Sequence, residues 1–117
     1  MARFGTNMSD RKSLVMRGVS ECVTEDELDN LLTNKETPRA YVGFEPSGLL
    51  HAGSLVPMLK CKDLVDAGFE VTILLADWHG YINDKLGGSW DNLNAGVEYQ
   101  RQMFSVFCPC LLYTSDA

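Results

Sequence analysis

The sequence predicts an α/β fold: a partial Rossmann-type nucleotide-binding domain in which the first β-α-β unit of a parallel sheet is preceded by two helices. Three observations carry this. The extended segment Arg39 to Val42 breaks on Gly43, Pro46 and Gly48 and resumes near Gly53 in a helical pattern. Val71-Thr72-Ile73-Leu74-Leu75 is a nearly continuous apolar run, the pattern of a parallel strand covered on both faces. Between the two lies one helix's worth of sequence. Such a unit is a right-handed crossover in nearly every known case, and open parallel sheets take their ligands beyond the carboxyl ends of the strands.

Taken in order, residues 1–8 form a lead-in without periodicity, and residues 9–38 carry two helices. The first spans Ser9 to Gly18, with Gly18 placed to end it. Thr24-Glu25-Asp26-Glu27 has the pattern of a capping box, with Val23 and Leu28 spaced as a hydrophobic staple. Leu28, Leu31 and Leu32 then form an apolar stripe that ends near Asn34, and Thr37-Pro38 leads into the first strand. After the turn, Leu55, Met58, Leu59 and Val65 mark the buried face of the next helix, and Ala67-Gly68 stops it. With a start near Gly53, Pro57 falls among the first-turn residues whose N–H has no helical partner. Lys85 to Gly88 reads as a loop. Ser89 caps a last helix with Trp90, Leu93, Val97, Phe104 and Phe107 at core spacing. Residues 39–109 thus make one half-domain.

Composition narrows the function classes. At 117 residues the chain is one domain at most, able to bury roughly two-thirds of its unfolded surface. A net charge of -6 argues against a nonspecific nucleic-acid surface in this segment. Cys22, Cys61, Cys108 and Cys110 show no C-x-x-C pair, and both histidines lie far from them, so no metal site is expected. There is no apolar run near the ~18 residues that span a bilayer and no signal-peptide core. A cytoplasmic protein with reduced thiols and no membrane partner is the expectation.

Residues 41–54 carry the chemistry. A strand end, a glycine-rich turn and a helix start make an anion site, because the first-turn amides lack partners and the helix dipole adds partial positive charge. His51 precedes that helix, where an imidazole N–H can face a bound phosphate; a solvent-satisfied loop histidine is the equal alternative. Asp77-Trp78-His79-Gly80-Tyr81 brings polar and aromatic groups to the end of the second strand. Tyr41 and Glu45 flank the first strand end, and by composition they are equally a core tyrosine and a turn carboxylate.

At these residues the sequence resembles the archaeal and eukaryotic tyrosyl-tRNA synthetases, which are class I enzymes. The resemblance runs from about Ser13 to Phe107 and is densest in Arg39-Ala-Tyr-Val-Gly-Phe-Glu-Pro-Ser-Gly48, His51-Ala-Gly-Ser54 and Asp66 to Lys85. It implies ATP as a substrate with Mg2+, activation of L-tyrosine to tyrosyl-adenylate, transfer to tRNA(Tyr), and a homodimer at full length. By that resemblance His51 and Ser54 are catalytic, while Gly43, Phe44, His51, Gly53 and Ser54 face ATP. Tyr41, Glu45, Leu74 and His79 face tyrosine, Tyr41 through the substrate phenol. Ser54 departs from the family's His-Ile-Gly-His signature, whose last position is histidine.

Neither the family's second half, with its Lys-Met-Ser-Lys-Ser-type loop, nor an anticodon-reading domain appears, so the chain alone is expected to be inactive. Residues 110–117 resemble a translated adapter from transposase-based sequencing libraries, and a non-native tail is the expectation there. The competing readings are a tryptophanyl enzyme, a small His-x-Gly-x nucleotidyltransferase and a non-catalytic synthetase-like interaction module.

Overall fold

The computed structural model describes residues 8–46, 48–108 and 111–115. The lead-in residues 1–7 and Cys110 lie outside them. Helices α1 (Met8–Met16) and α2 (Glu25–Asn34) precede strand β1 (Arg39–Phe44), helix α3 (Ala52–Asp66) and strand β2 (Glu70–Leu75). A short helix α4 (Asp77–Ile82), a tight turn at Lys85–Gly88, helix α5 (Trp90–Phe107) and strand β3 (Leu112–Ser115) complete the order. The expected β-α-β unit is therefore present, with β1 two residues longer than expected.

The sheet is parallel, in the order β1-β2-β3. Tyr41 is level with Thr72 and Gly43 with Leu74. On the next strand pair, Thr72 faces Leu112 and Leu74 faces Thr114. Strand β3 comes from the stretch expected to be a tail, and Leu111 just before it is buried.

Side chains alternate across a strand, so each strand offers one set of residues to each face. Val71, Ile73 and Leu75 are buried with Met58, Cys61 and Val65 of α3 and Phe104 of α5. Ala40, Val42, Phe44 and Tyr113 pack against the same cluster, and the Phe44 and Phe104 rings lie 4.8 Å apart. The opposite face is open among the described residues: Tyr41 is 79% exposed, Gly43 and Leu112 are exposed, and Thr72 and Leu74 are half-buried. The apolar run of β2 therefore does not mark a strand covered on both faces. The run lacks alternation because the open face also carries Leu74.

Polar clamps hold the N-terminal helices. The Arg11 guanidinium donates to the carbonyls of Ala67, Leu32, Lys35 and Glu36, joining α1 to the ends of α2 and α3. Lys60 Nζ donates to the carbonyls of Leu14, Val15 and Arg17, which a helix end leaves without backbone partners. Buried Asp63 pairs with Arg17 and lies 3.5 Å from Lys60 Nζ. Gly18 has a φ of +72°, the left-handed conformation that lets glycine end α1 as expected.

Several expectations need correction. Thr24 is the N-cap of α2, but its hydroxyl bonds the Glu27 carboxylate rather than a helix N–H, and Val23 is 90% exposed, so neither capping box nor staple forms. On α3, Cys61 and Asp63 are buried while Leu55 and Leu59 are exposed; the core side is rotated from the expected one. Pro57 is the sixth residue of α3, beyond the first turn, and so withholds a backbone donor from the Gly53 carbonyl. Trp90 leaves the core and stacks on Tyr81 at 4.6 Å, with Trp78 edge-on at 5.1 Å. Burial pushes the Cys61 thiol up to about 11, which makes it a packing residue rather than a reactive one.

Candidate active site

The carboxyl ends of β1 and β2 meet as the topology requires. The last bond between them runs from the Ala76 N–H to the Phe44 carbonyl at 2.8 Å, and the chain then turns through Glu45 and buried Pro46 toward α3. Two glycines accommodate Pro46. A Cβ on Gly80 of α4 would sit 3.2 Å from its Cγ, and a Cβ on Gly96 of α5 would sit 3.2 Å from its Cβ. Both contacts are closer than ordinary packing, so small residues at those positions let two helices close on the turn.

His51 is the N-cap of α3. Its Nδ1 accepts from the Gly53 N–H at 3.1 Å, and its own backbone N–H donates to Ser54 Oγ at 3.2 Å. Together these form a capping box, in which side chain and backbone satisfy each other's orphan groups. An imidazole that accepts at Nδ1 in its neutral form carries its proton on Nε2, an assignment made from the hydrogen-bond network. That proton is a donor at the start of α3, whose Gly53 and Ser54 N–H groups are already taken by His51 Nδ1 and the His51 carbonyl. Gly53 acquires a local reason: a Cβ there would lie 2.9 Å from His51 Cε1.

Glu45 is tied from three sides. Its Oε2 accepts from Asn83 Nδ2 at 3.1 Å, its Oε1 lies 4.0 Å from Lys85 Nζ, and its backbone carbonyl accepts from Gln100 Nε2 at 3.2 Å. At the far end of the turn the Leu50 N–H donates to the Tyr99 hydroxyl at 3.4 Å. Sequence reading missed Gln100, Tyr99 and Gly96, and it named Pro46 and Gly80 without their mutual contact. One signal was available, since Gln100 is a polar residue inside the Leu93, Val97, Phe104 stripe.

The expected tyrosine-facing residues divide between elements. Tyr41, Gly43 and Leu74 share the open sheet face, with Leu74 Cδ2 3.5 Å from where a Gly43 Cβ would stand. Glu45 lies beyond the end of β1. His79 is exposed on α4 directly after β2. Phe44 differs from the other expected ATP-facing residues: its ring faces the covered core against Phe104, so only its backbone is directed elsewhere. Asp77 Oδ1 accepts from the Trp78 N–H at 2.9 Å at the start of α4. Among the described residues no three His, Cys, Asp or Glu side chains cluster as metal ligands, and no helix is long and apolar enough to cross a membrane.

A histidine-capped helix follows a glycine-rich turn at the carboxyl ends of parallel strands, an arrangement suited to binding an anion. The family model described as class I tRNA synthetases (W and Y) matches residues 33–111. The chain belongs to that family. Within it, the chain corresponds to the N-terminal region of an archaeal-type tyrosyl-tRNA synthetase. It is 50% identical over 95 residues to the tyrosine–tRNA ligase of Methanosarcina acetivorans, a match covering 81% of this chain and 29% of that protein. The tyrosyl-tRNA synthetase structure from Aeropyrum pernix superposes with a TM-score of 0.86 at 40% identity, over 92% of this chain and 34% of that one. The Archaeoglobus fulgidus enzyme, solved with L-tyrosine, gives 0.84 at 36% identity, over 93% and 34%. The chain thus spans about a third of the length of these relatives.

Proposed function

We propose that this chain supplies the first half of the active site of a tyrosyl-tRNA synthetase, and that the complete enzyme uses ATP, entering as its Mg2+ complex, to activate L-tyrosine and charge tRNA(Tyr). The observation that carries the reading is the His51 cap, with Nδ1 held by Gly53 and Nε2–H left to donate. In the reaction a carboxylate oxygen of tyrosine attacks the α-phosphorus of ATP. The bond from that phosphorus to the bridging oxygen breaks, pyrophosphate leaves, and tyrosyl-adenylate remains for transfer to the tRNA.

Charge develops on the phosphoryl oxygens, so donors fixed in advance stabilise the transition state without reorganising. His51 Nε2–H is such a donor, set at the positive end of the α3 dipole, while the Gly53 and Ser54 amides are used to hold it. Ser54 Oγ already accepts from His51, and its own O–H remains free to donate, which compensates for the absent second histidine. Gly43 leaves the backbone of β1 accessible, and Phe44 contributes through backbone alone. On the tyrosine side, Tyr41 meets the substrate phenol, Glu45 borders the ligand, and Leu74 and His79 line the pocket. A cytoplasmic homodimer is the expected full-length form.

Substrate choice tests the proposal. A site built to hydrogen-bond a hydroxyl rejects the analogue lacking it, and tyrosyl-tRNA synthetases are themselves the standard illustration at about 10⁵ against phenylalanine. In a full-length version, Tyr41→Phe should erode the kcat/KM preference for tyrosine over phenylalanine by up to about tenfold, the worth of one neutral hydrogen bond. Pyrophosphate-exchange kinetics with both amino acids measure this. Unchanged selectivity, or activation of tryptophan in preference to tyrosine, would overturn the assignment.

A further inference from the structure

We infer that α5 is a brace for the turn that carries the catalytic histidine, with Gln100 and Tyr99 as positioning residues for His51; the inference rests on the proposed role of His51. Three contacts along one helix converge on Glu45, Pro46 and Leu50. Gly96 admits the Pro46 ring, Gln100 donates to the Glu45 carbonyl, and Tyr99 accepts from the Leu50 N–H next to His51. Gly96 and Gln100 are four residues apart, so they stand one above the other on the same face of the helix.

Gln100 is the most informative of these. It is only 4% exposed, and its Oε1 has no partner among the described residues. A half-satisfied buried amide is worse for stability than an apolar side chain of the same shape. Leucine or methionine would extend the Leu93, Val97, Phe104 stripe without that cost. What Gln100 contributes instead is a donor to the first carbonyl beyond the β1 ladder, whose last bond is Ala76 N–H to Phe44. It prolongs the strand's hydrogen bonding by one residue where the chain leaves the sheet.

With one end of the turn held by Gln100 and the other by Tyr99, the backbone at His51 is fixed, and its ring can keep the Gly53 bond. Without the brace the turn gains freedom and the imidazole loses its single orientation. Small displacements of a positioned donor reduce the rate of the chemical step more than they reduce ground-state binding.

Gln100→Met and Tyr99→Phe test this in two ways. In the 117-residue chain, nitrogen NMR of the two imidazoles should show His51 as one tautomer with the proton on Nε2. Both variants should shift His51 toward a mixture of tautomers and leave His79 unchanged. In a full-length version, each should lower kcat for tyrosine-dependent pyrophosphate exchange by about tenfold, or ~1.4 kcal/mol, with KM for tyrosine changing less than twofold. Folded variants with the original His51 tautomer and kcat would overturn the brace, as would a parent chain whose His51 is protonated on Nδ1. If Gln100→Met does not fold, Tyr99→Phe keeps the ring and decides alone. A tautomer shift in variants of a protein with no tyrosine-dependent exchange would sink the synthetase reading while upholding the brace.

Discussion

The two faces of the sheet are drawn from the same strands yet differ in what covers them. On the covered face Val71, Ile73 and Leu75 lie under α3 and α5, both close in sequence to the strands they protect. On the open face Tyr41, Gly43, Thr72 and Leu74 stand exposed or half-exposed, and three of the four are residues that the family resemblance assigns to substrates. Parallel sheets are normally buried on both sides. The covered face is thus closed by this chain's own helices, and the open one is not covered by any described residue.

The largest effect separating the faces should come from Phe104→Ala. It removes the ring against Phe44 and leaves a cavity under the sheet, at a cost of about 3–5 kcal/mol. Leu74→Ala on the open face of the isolated chain should cost less than about 1 kcal/mol, because a half-exposed side chain loses little burial. Urea unfolding of both variants measures the contrast, and equal losses would mean that the open face is covered in solution. A smaller effect is expected within the site itself. Ser54→His in a full-length version should leave adenylate formation within about tenfold, or ~1.4 kcal/mol, since the His51 donor and the α3 dipole remain. A much larger gain in pyrophosphate exchange would show that Ser54 leaves the phosphate site impaired.

Much of the covered face was legible in the sequence. The helical stripe of α5, the β2 run, the glycine stops and the Ser89 cap each report a local rule, and the Ser89 hydroxyl does accept from the Asn92 N–H at 3.3 Å. Which face of β2 would be open was not legible, because Leu74 on the open face is as apolar as Ile73 and Leu75 beside it. Val23 and Leu28 had the spacing of a staple, but nothing packs over Val23. In the site, the position of His51 at the helix start could be read from the glycine pattern. Its bond to Gly53 could not, nor could the grip of Gln100 on Glu45, which joins residues 55 apart and exists only once α5 has docked.

The central claim is that this segment is one half of a tyrosine-activating site, and tyrosine-dependent ATP–pyrophosphate exchange tests it most directly. The 117-residue chain alone should show no exchange above background, and a protein continued from Phe107 through the uninterrupted reading frame should show exchange that requires tyrosine. Exchange by the isolated chain, or none by the continued protein, would contradict it.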